Sequence, residues 1–480
     1  MPQSTEYLQR LEIHRAQASL GGGQKQIEIQ HAKGKLTARE RIAQFLDEGS
    51  FQEIDPYLTH RATDFGMANR QSPGDAVVAG FGKIQGRSVC VYAQDFTVLG
   101  GSFSEAQAKK VARVMDLALQ SGRPVIGLND SVGARIQEGV YSLAGYAELF
   151  WRNTQASGVV PQISVMLGPC AGGSVYSPGL TDFVIMTQGL SHMFITGPDV
   201  IRTVTGQDVD FDTLGGAMTH AAKSGVAHFV ADDETHALAV ARRLLSYLPA
   251  SNREYPPYIP PTSVYPLVDS TLDTLALGDS ARPVREIIVR IFDSDTFFEV
   301  HSYFAGSTVV GFARLDGHVA GVVALQPAKA GSLLDVDAAD KVARFVRFCD
   351  AFNIPLVTLV DMPGFAPGGS ESRRGGVRHA ARLAFAYAEA IVPRLAVFMR
   401  RASSGIYAML GCPGRAADLS FAWPAAHFGA EQDAFAAAAA NLVNDIIKPS
   451  ETRARLVAAL ELLRDKEHPL PSRKHNNMPL

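Results

Sequence analysis

The segment GPCAGGSVYSP, Gly168–Pro178, follows the apolar run ISVML and places two adjacent glycines where a buried strand gives way to a helix. Glycine has no Cβ, so a ligand can approach its backbone closely, and the first amides of a helix have no acceptor within the helix. Such a turn can offer paired N–H groups to a negative oxygen, as an oxyanion hole does. A glycine pair here is equally compatible with tight packing alone.

The chain repeats one pattern in its two halves. GFGKIQG from Gly80 recurs as GFARLDG from Gly311, and PVIGLNDSVG from Pro124 recurs as PLVTLVDMPG from Pro355. Between these matches each half carries apolar residues at i, i+3, i+4 and i+7, the spacing of one helix face: Val111, Val114, Met115 and Ala118 in the first half, and Val342, Phe345, Val346 and Cys349 in the second. The strands are continuous apolar runs without alternating polar residues, and they lie between amphipathic helices. This pattern predicts a duplicated α/β fold with parallel sheet.

The duplication predicts a second glycine turn. Continuing the match lays Gly173 on Gly405, within ASSGIY, Ala402–Tyr407, which follows the apolar run LAVFM. Each half is therefore expected to end a buried strand in an equivalent turn. A duplicated turn can still be architectural in both copies, so the pattern alone leaves its function open.

Composition bounds the class of protein. A chain of 480 residues with 46% apolar and 19% charged residues exceeds what one core usually organises. The proline-rich stretch Tyr255–Pro266 predicts the boundary, giving domains 1–260 and 261–480.

A formal charge of −3 without a long basic run argues against a nucleic-acid partner. We expect no membrane span, because no apolar run reaches about 18 residues, and a cytoplasmic location, because no signal-peptide core is present.

Cysteines and histidines give no metal-site spacing. The four cysteines form no CxxC pair, which argues against a disulfide framework and a zinc ribbon, and we predict no metal. Cys170, beside the glycine pair, is a candidate nucleophile or a buried packing residue. His192, His220 and His228 are expected to be structural hydrogen-bonding residues.

Long motifs resemble the carboxyltransferase β subunit of propionyl-CoA and related acyl-CoA carboxylases. They are QDFTVLGGSFSEAQAKK from Gln94, GLNDSVGARIQEGV from Gly127, GPCAGGSVYSPGLTDF from Gly168 and LGGAMTH from Leu214, with HAKGKLTARERIAQFLDEGSF near the N-terminus. The resemblance implies two crotonase-like domains of the ClpP/crotonase superfamily with ββα spiral repeats. It assigns 1–260 to the acyl-CoA side and 261–480, which is more divergent, to the biotin side.

The family's chemistry implies a role for both turns. Carboxybiotin releases CO2, the freed ureido nitrogen takes the proton α to a thioester, and the enolate attacks CO2. By resemblance, the amides of Gly172 and Gly173 would hold the enolate oxygen, and those of Gly405 and Ile406 the biotin ureido oxygen. The resemblance implies further substrate-binding residues at Gly133, Ala134, Arg135, Ala171, Ser174, Tyr176, Ser404, Tyr407 and Ala408.

The resemblance also implies partners. No site for covalent biotin and no ATP-grasp loop is recognisable, so biotin would arrive on a biotin carboxylase or carrier subunit. The substrate would be an acyl-CoA or an acyl-carrier thioester, and the assembly a homo-oligomer, a hexamer by resemblance, with each site shared between subunits.

Several charged residues have two interpretations. Arg135 could face a CoA phosphate or pair with Glu138, and Lys109 and Lys110 could meet CoA phosphates or face solvent. Asp130 and Asp361, each ending a buried strand, could orient the turns near the site or cap the next segment. The sequence leaves these alternatives open.

Some positions depart from the family pattern. Ser404, Ile406 and Ala408 replace its usual AYGGAYD residues and could obstruct biotin, Val132 replaces a glycine, and the segment after Pro424 is shortened. The alanine run Ala436–Ala440 predicts a plain helix. The departures keep two alternatives open: a repurposed, biotin-independent crotonase-type enzyme that decarboxylates or transfers an acyl thioester, and a non-catalytic scaffold.

Overall fold

The computed structural model describes residues 2–261, 266–277, 283–326, 333–429 and 432–479, with side chains except at 2–5, 276–277 and 404. The chain divides into two compact units, Met1–Leu245 and Ser246–Leu480. Part of the proline-rich stretch, residues 262–265, lies outside the described residues. The assignment of 1–260 to an acyl-CoA side and 261–480 to a biotin side stays a prediction.

The first unit is a mixed sheet with helices around it. Its strands are β1 Gln52–Glu53, β2 Val77–Ile84, β3 Arg87–Gln94, β4 Val125–Ser131, β5 Gln162–Ala171, β6 Phe183–Thr187, β7 His192–Phe194 and β8 Phe229–Ala231. Its helices are α1 Pro2–Ser19, α2 Gln24–Ala32, α3 Ala38–Phe45, α4 Glu105–Ser121, α5 Val140–Ala156, α6 Tyr176–Leu180, α7 Pro198–Thr205, α8 Phe211–Gly215, α9 Ala217–Thr219 and α10 Glu234–Leu245. The strand order is β1-β2-β3-β4-β5-β6-β8, with β7 paired to the end of β5.

The second unit repeats this architecture. Its strands are β9 Phe298–Val300, β10 Thr308–Leu315, β11 His318–Leu325, β12 Leu356–Met362, β13 Arg394–Ala402, β14 Leu419–Ala422, β15 His427–Phe428, β16 Gln432–Asp433 and β17 Asp445–Ile446. Its helices are α11 Thr271–Leu277, α12 Val284–Ile291, α13 Val336–Ala351, α14 Gly369–Arg373, α15 Gly376–Glu389, α16 Ser404–Leu410, α17 Ala434–Ala439 and α18 Thr452–Leu463. The strand order of the second sheet repeats that of the first. The order β15-β13-β12-β11-β10-β9 corresponds to β7-β5-β4-β3-β2-β1, while β14 and β17 correspond to β6 and β8.

The sheets are parallel as predicted except at their first strands and at β15–β16, an antiparallel pair at the other edge of the second sheet. β3 to β6 and β11 to β14 pair in parallel, whereas β2–β3 and β10–β11 are antiparallel hairpins. Each hairpin closes over two residues with positive φ: Gln85 and Gly86 at 51° and 77°, and Asp316 and Gly317 at 51° and 79°. Two consecutive positive φ angles define the type I′ turn, whose twist matches that of the strands it joins.

The predicted helix faces form the cores. α4 and α13 bury every apolar position of the repeat, and the strand pair β4 and β12 is fully buried. The alanine run is helical as predicted, in α17. No helix in the described ranges is long and apolar enough to cross a membrane.

Equivalent buried lysines support the same strand in each unit. Lys110 Nζ donates to Val77 O at 2.8 Å and lies 3.3 Å from Glu53 Oε1. The matching Lys341 donates to the carbonyls of His301, Phe304 and Thr308 at 2.7–3.0 Å. Burial lowers the pKa of Lys341 to about 8. Both interpretations of Lys110 are therefore wrong: its ammonium faces neither solvent nor a ligand but the core, and only Lys109 is exposed.

An arginine–glutamate pair recurs beside these lysines. Arg39 Nη1 lies 2.8 Å from Glu53 Oε2, and Arg285 Nε donates to Glu299 Oε2 at 2.7 Å. In both units the arginine comes from the helix before the first strand and the glutamate from that strand. The duplication therefore extends to specific ion pairs.

Replacing Lys110 by Met leaves Val77 O without its ammonium partner. We expect the free energy of unfolding of Lys110→Met to fall by about 2 kcal/mol, because a buried acceptor loses its donor. Lys109→Met, at the adjacent exposed position, should change it by less than about 0.5 kcal/mol. Denaturant unfolding at one protein concentration measures both, and equal losses would contradict the buried role of Lys110.

Candidate active-site turns

Only glycine fits at position 168, because the carboxylate of Asp130 occupies the space that a Cβ would need. A Cβ on Gly168 would lie 1.9 Å from Asp130 Oδ1 and 2.6 Å from Lys35 Nζ. Asp130, at the end of β4, is completely buried. The first glycine of the opening segment therefore lets β5 pass directly over this side chain.

Asp130 belongs to a buried quartet of charges. Its carboxylate lies 2.6 Å from Lys35 Nζ and 2.9 Å from Arg41 Nη1, and Arg41 Nη2 lies 2.5 Å from Glu234 Oε1. Two positive and two negative groups balance, which buried ions require. Burial, together with the charge of Arg41, lowers the pKa of Lys35. Asp130 thus joins an ion network beneath β5, and among the described residues its carboxylate accepts no N-cap hydrogen bond.

The first turn follows directly from the end of β5. Ala171 ends the strand, Gly172 has φ 60°, and the 3₁₀ turn Gly172–Val175 leads into α6. The first N–H groups of such a turn have no acceptor within it. In the described part of the chain the N–H of Gly173 donates no hydrogen bond. Ala171, Gly172 and Gly173 are only partly buried, so this backbone remains open to solvent.

Gly173 also has to be a glycine, because an aromatic ring lies where its Cβ would be. A Cβ on Gly173 would lie 2.8 Å from Tyr146 Cε2. The Tyr146 ring stacks on Phe103 at 4.1 Å between centroids, and its Oη lies 2.5 Å from Ser174 Oγ. Tyr146 therefore fixes the turn from behind, through the predicted site residue Ser174.

Sequence reasoning missed Tyr146. It lies on the buried face of α5 with Leu149 and Asn153, so helical spacing marks it as a core residue. Spacing carries no information about which distant turn its hydroxyl meets.

The structure brings most of the predicted acyl-side residues together. Gly133 has φ 106°, and a Cβ there would lie 3.0 Å from Ala171 O. Ala134 forms a parallel bridge with Phe103, which also packs on Tyr146. The loop after β4 thus lies beside the end of β5. Tyr176, in the helix after the turn, is 45% exposed.

Arg135 is buried and ion-paired, and its assignment to substrate binding stays a prediction. Its side chain is 1% exposed and lies 2.6 Å from Asp75 Oδ1 and 3.1 Å from Glu138 Oε1. It also donates to Ser102 Oγ and O, both at 3.1 Å. The alternative of pairing with Glu138 is confirmed, and Asp75 is a partner that the sequence did not indicate.

Cys170 lies in the core. Its thiol donates to Ser174 O at 3.2 Å, and burial raises the pKa of Cys170 far above its usual range. A nucleophilic cysteine requires an accessible thiolate, so the packing interpretation holds.

The histidines are hydrogen-bonded as expected: His192 to Asp212, His220 to Met193 O, and His228 Nδ1 accepting from Val184 N.

The second turn follows β13 in the same way. Ala402 ends the strand and α16 begins at Ser404. The Gly405 N–H donates no hydrogen bond among the described residues, and a Cβ on Gly405 would meet only Phe365 Cε2, at 3.9 Å. The Ile406 N–H, in contrast, donates to the N-cap Ser403 Oγ at 3.4 Å.

Two departures from the family pattern at this turn, Ile406 and Ala408, have described side chains. The Ile406 side chain is completely buried, so it points away from any ligand at the turn. Tyr407 donates to Leu442 O at 2.8 Å, its ring packs against Phe398 and Phe428, and Ala408 is exposed. The Ser404 side chain lies outside the description. The expected obstruction by Ile406 is therefore absent.

Thiol labelling tests the assignment of Cys170. Iodoacetamide added to the native protein should modify Cys412, which is half-buried, well before Cys90, Cys170 and Cys349, which are buried. Burial raises the pKa of Cys90 to about 11 and also raises those of Cys170 and Cys349, so little thiolate forms. Peptide mass spectrometry follows each site over time. Labelling of Cys170 as fast as Cys412 would restore the nucleophile hypothesis.

Comparison with known proteins places the chain in a family. The family model described as the carboxyl transferase domain matches residues 29–434. The propionyl-CoA carboxylase beta chain of Roseobacter denitrificans is 47% identical, covering 99% of this chain and 100% of the relative. The mitochondrial beta chain of Homo sapiens is also 47% identical, covering 100% and 94%.

A solved structure agrees with both units. Transcarboxylase 12S, described as a hexamer with hydrolysed methylmalonyl-coenzyme A bound, is 43% identical and matches 98% of each chain with a TM-score of 0.96. The predicted crotonase-like α/β fold is thereby confirmed. The chain belongs to the carboxyl transferase domain family, among the carboxyltransferase β subunits of acyl-CoA carboxylases.

Proposed function

We propose that this chain moves a carboxyl group from carboxybiotin to the α-carbon of a short acyl-CoA, with propionyl-CoA as the preferred substrate. The observation that carries the proposal is the turn at Gly172 and Gly173, where an N–H without an internal acceptor lies on a backbone fixed by Tyr146. The names of the relatives, propionyl-CoA carboxylase beta chains, support this substrate class.

The first turn would stabilise the enolate. Removing the α-proton of a thioester places negative charge on the carbonyl oxygen, and preorganised N–H donors lower the energy of that charge. In enzymes where one such donor was removed, the cost was about 3–4 kcal/mol. Gly172 and Gly173 would supply the donors here. The rigid support from Tyr146 and Ser174 means that little reorganisation accompanies charge development.

The second turn would hold the biotin ureido oxygen. Carboxybiotin would supply the carboxyl group and, after losing it, the base that removes the α-proton. The space beside Gly405 and the buried Ile406 side chain fit such a ligand. Gly405 offers its N–H directly, whereas the Ile406 N–H is shared with Ser403 Oγ at a long 3.4 Å. Tyr407 and Ala408 border this turn and would contact the substrate.

The proposal includes the organisation of the enzyme. Residues 1–260 would form the acyl-CoA side and 261–480 the biotin side. Biotin would arrive on a separate biotin carboxylase or carrier subunit. By similarity to the transcarboxylase described as a hexamer, the assembly would be a homo-oligomer of six chains, and the location cytoplasmic.

Bicarbonate incorporation tests this function. The protein is mixed with propionyl-CoA, ATP, radiolabelled bicarbonate and a biotinylated carrier, with biotin carboxylase either supplied or omitted. We expect label in methylmalonyl-CoA only when biotin carboxylase is present. Loss of CO2 from methylmalonyl-CoA without any biotin would instead support the biotin-independent enzyme, which the named relatives do not favour.

A substitution at Gly173 tests the first turn. The Cβ of Gly173→Ala meets the Tyr146 ring, so the turn must shift and its N–H moves. We expect kcat to fall by about 100-fold, as for loss of one oxyanion donor, with little change in melting temperature. Gly179→Ala, in α6, is the matched control because nothing lies within 4 Å of the added Cβ. A Gly173→Ala variant of normal kcat would remove the turn from the mechanism.

A further inference from the structure

A cavity of about 330 Å³ lies in the second unit, at the end of the parallel strands opposite the second turn. β11 begins at its edge with His318, and Pro355 and Pro393, which precede β12 and β13, also line it. The turn after Ala402 lies at the far end of the nine residues of β13, about 27 Å away at 3.3 Å per residue. A ligand in this cavity would therefore not touch that turn.

The segment 254–259 forms one wall of the cavity and is tied to the folded sheet. Asn353 Nδ2 donates to Glu254 O at 2.9 Å. Gly317, in the turn between β10 and β11, lets the segment approach closely, because a Cβ there would lie 2.6 Å from Tyr258 Cε2. Hydrogen bonding and close packing thus form this wall without a ligand.

The interior of the cavity is apolar. The side chains that form it come from the segment 254–259, the hairpin and α18, and include Tyr255, Tyr258, Leu315, Val319, Val457 and Leu460. The two tyrosines are 65% and 53% exposed, so their rings stand at the rim, whereas the hairpin residues are buried. The volume falls at the lower end of the range for small-molecule sites. It suits one large apolar side chain rather than a bulky cofactor.

Three charged side chains stand at the mouth of the cavity, and none has an ionic partner among the described residues. They are Asp316, Glu461 and Arg464, all of them exposed. Glu461 lies one helical turn before Arg464, and Arg464 Nη2 donates to His318 Nε2 at 2.9 Å. Asp316 belongs to the turn that leads to His318. Charges of both signs therefore border one apolar cavity.

His318 holds the guanidinium of Arg464 as a neutral acceptor. Burial and the charge of Arg464 lower the pKa of His318, and its ring centroid lies 4.6 Å from that of Tyr258. A guanidinium has five N–H donors, so others stay available to a ligand. In the first unit the matching residue is Arg87, which donates instead to Leu245 O at 2.7 Å. The duplication therefore does not account for the His318–Arg464 pair.

We propose that this cavity binds a free α-amino acid with a large apolar side chain. The side chain would fill the apolar interior. The carboxylate would accept from the guanidinium fork of Arg464, and the ammonium would face Asp316 and Glu461. A ligand of a single charge would leave the opposite sign at the mouth without a partner, whereas a zwitterion meets both. The proposal goes beyond carboxyl transfer and does not depend on it.

Isothermal titration calorimetry on the full-length protein tests the proposal. L-phenylalanine is compared with L-alanine, with L-phenylalaninamide, which lacks the carboxylate, and with N-acetyl-L-phenylalanine, which lacks the ammonium. We expect L-phenylalanine to bind at least about fivefold more tightly than each of the others, because each lacks one of the three contacts.

Variants assign each charge to its partner. Arg464→Gln should weaken L-phenylalanine about fivefold and leave L-phenylalaninamide within about twofold, because the amide has no carboxylate to lose. Asp316→Asn combined with Glu461→Gln should weaken L-phenylalanine by a similar factor without weakening N-acetyl-L-phenylalanine. Arg455→Gln is the matched control, because Arg455 is an exposed arginine of α18 outside the lining. It should leave every ligand within about twofold of wild type.

Three results would overturn the proposal. The first is an L-phenylalanine titration without saturable heat up to about 10 mM. The second is equal binding of L-alanine and L-phenylalanine, which would leave the apolar interior unused. The third is equal weakening of L-phenylalanine and its amide in Arg464→Gln at an unchanged melting temperature. The carboxyltransferase proposal stands or falls separately, by the bicarbonate assay.

Discussion

The first unit depends on one close approach, that of the Gly168 backbone to the carboxylate of Asp130. This side chain occupies the space where any Cβ on Gly168 would lie, and Lys35, Arg41 and Glu234 hold it in a neutral set of four charges. Removing one member would leave an unpaired buried charge, which costs several kcal/mol. The four charges therefore fix the end of β5, and the Tyr146 ring fixes the turn that follows it.

Comparison of the two units distinguishes the ion pairs that both share from those that occur only beside the first turn. Both keep the buried lysine under the hairpin and the Arg39–Glu53 type of pair, which the second unit repeats as Arg285–Glu299. The charge quartet is different, because the position that matches Arg41 in the repeat is Ile287, which is packed in an apolar core. The same architecture thus forms without the quartet. Its presence beside the first turn indicates a role in holding that turn rather than in forming the sheet.

Local pattern and self-similarity predicted the repeated helices, buried strands and turns. Apolar spacing identified the buried faces of α4 and α13, and the two glycine turns followed from laying one half on the other. What the sequence could not indicate was which distant groups meet. Lys35 and Asp130 are separated by 95 positions, and nothing near Lys110 or Arg135 shows that Glu53 or Asp75 is their partner. Lysine and arginine side chains are ordinarily exposed, so the burial of Lys110 and Arg135 opposes the usual expectation. The antiparallel hairpins were missed because a buried strand has the same composition in either orientation.

The two turns present main-chain rather than side-chain donors. Every amino acid except proline carries an N–H, so a point mutation that changes a neighbouring side chain leaves the donor itself in place. Ile406 illustrates this: a large residue has been accepted because its bulk is directed inward. Substitutions during evolution can therefore change the side chains around each turn, and with them the ligands that fit there, while the main-chain N–H groups of the turn are inherited unchanged.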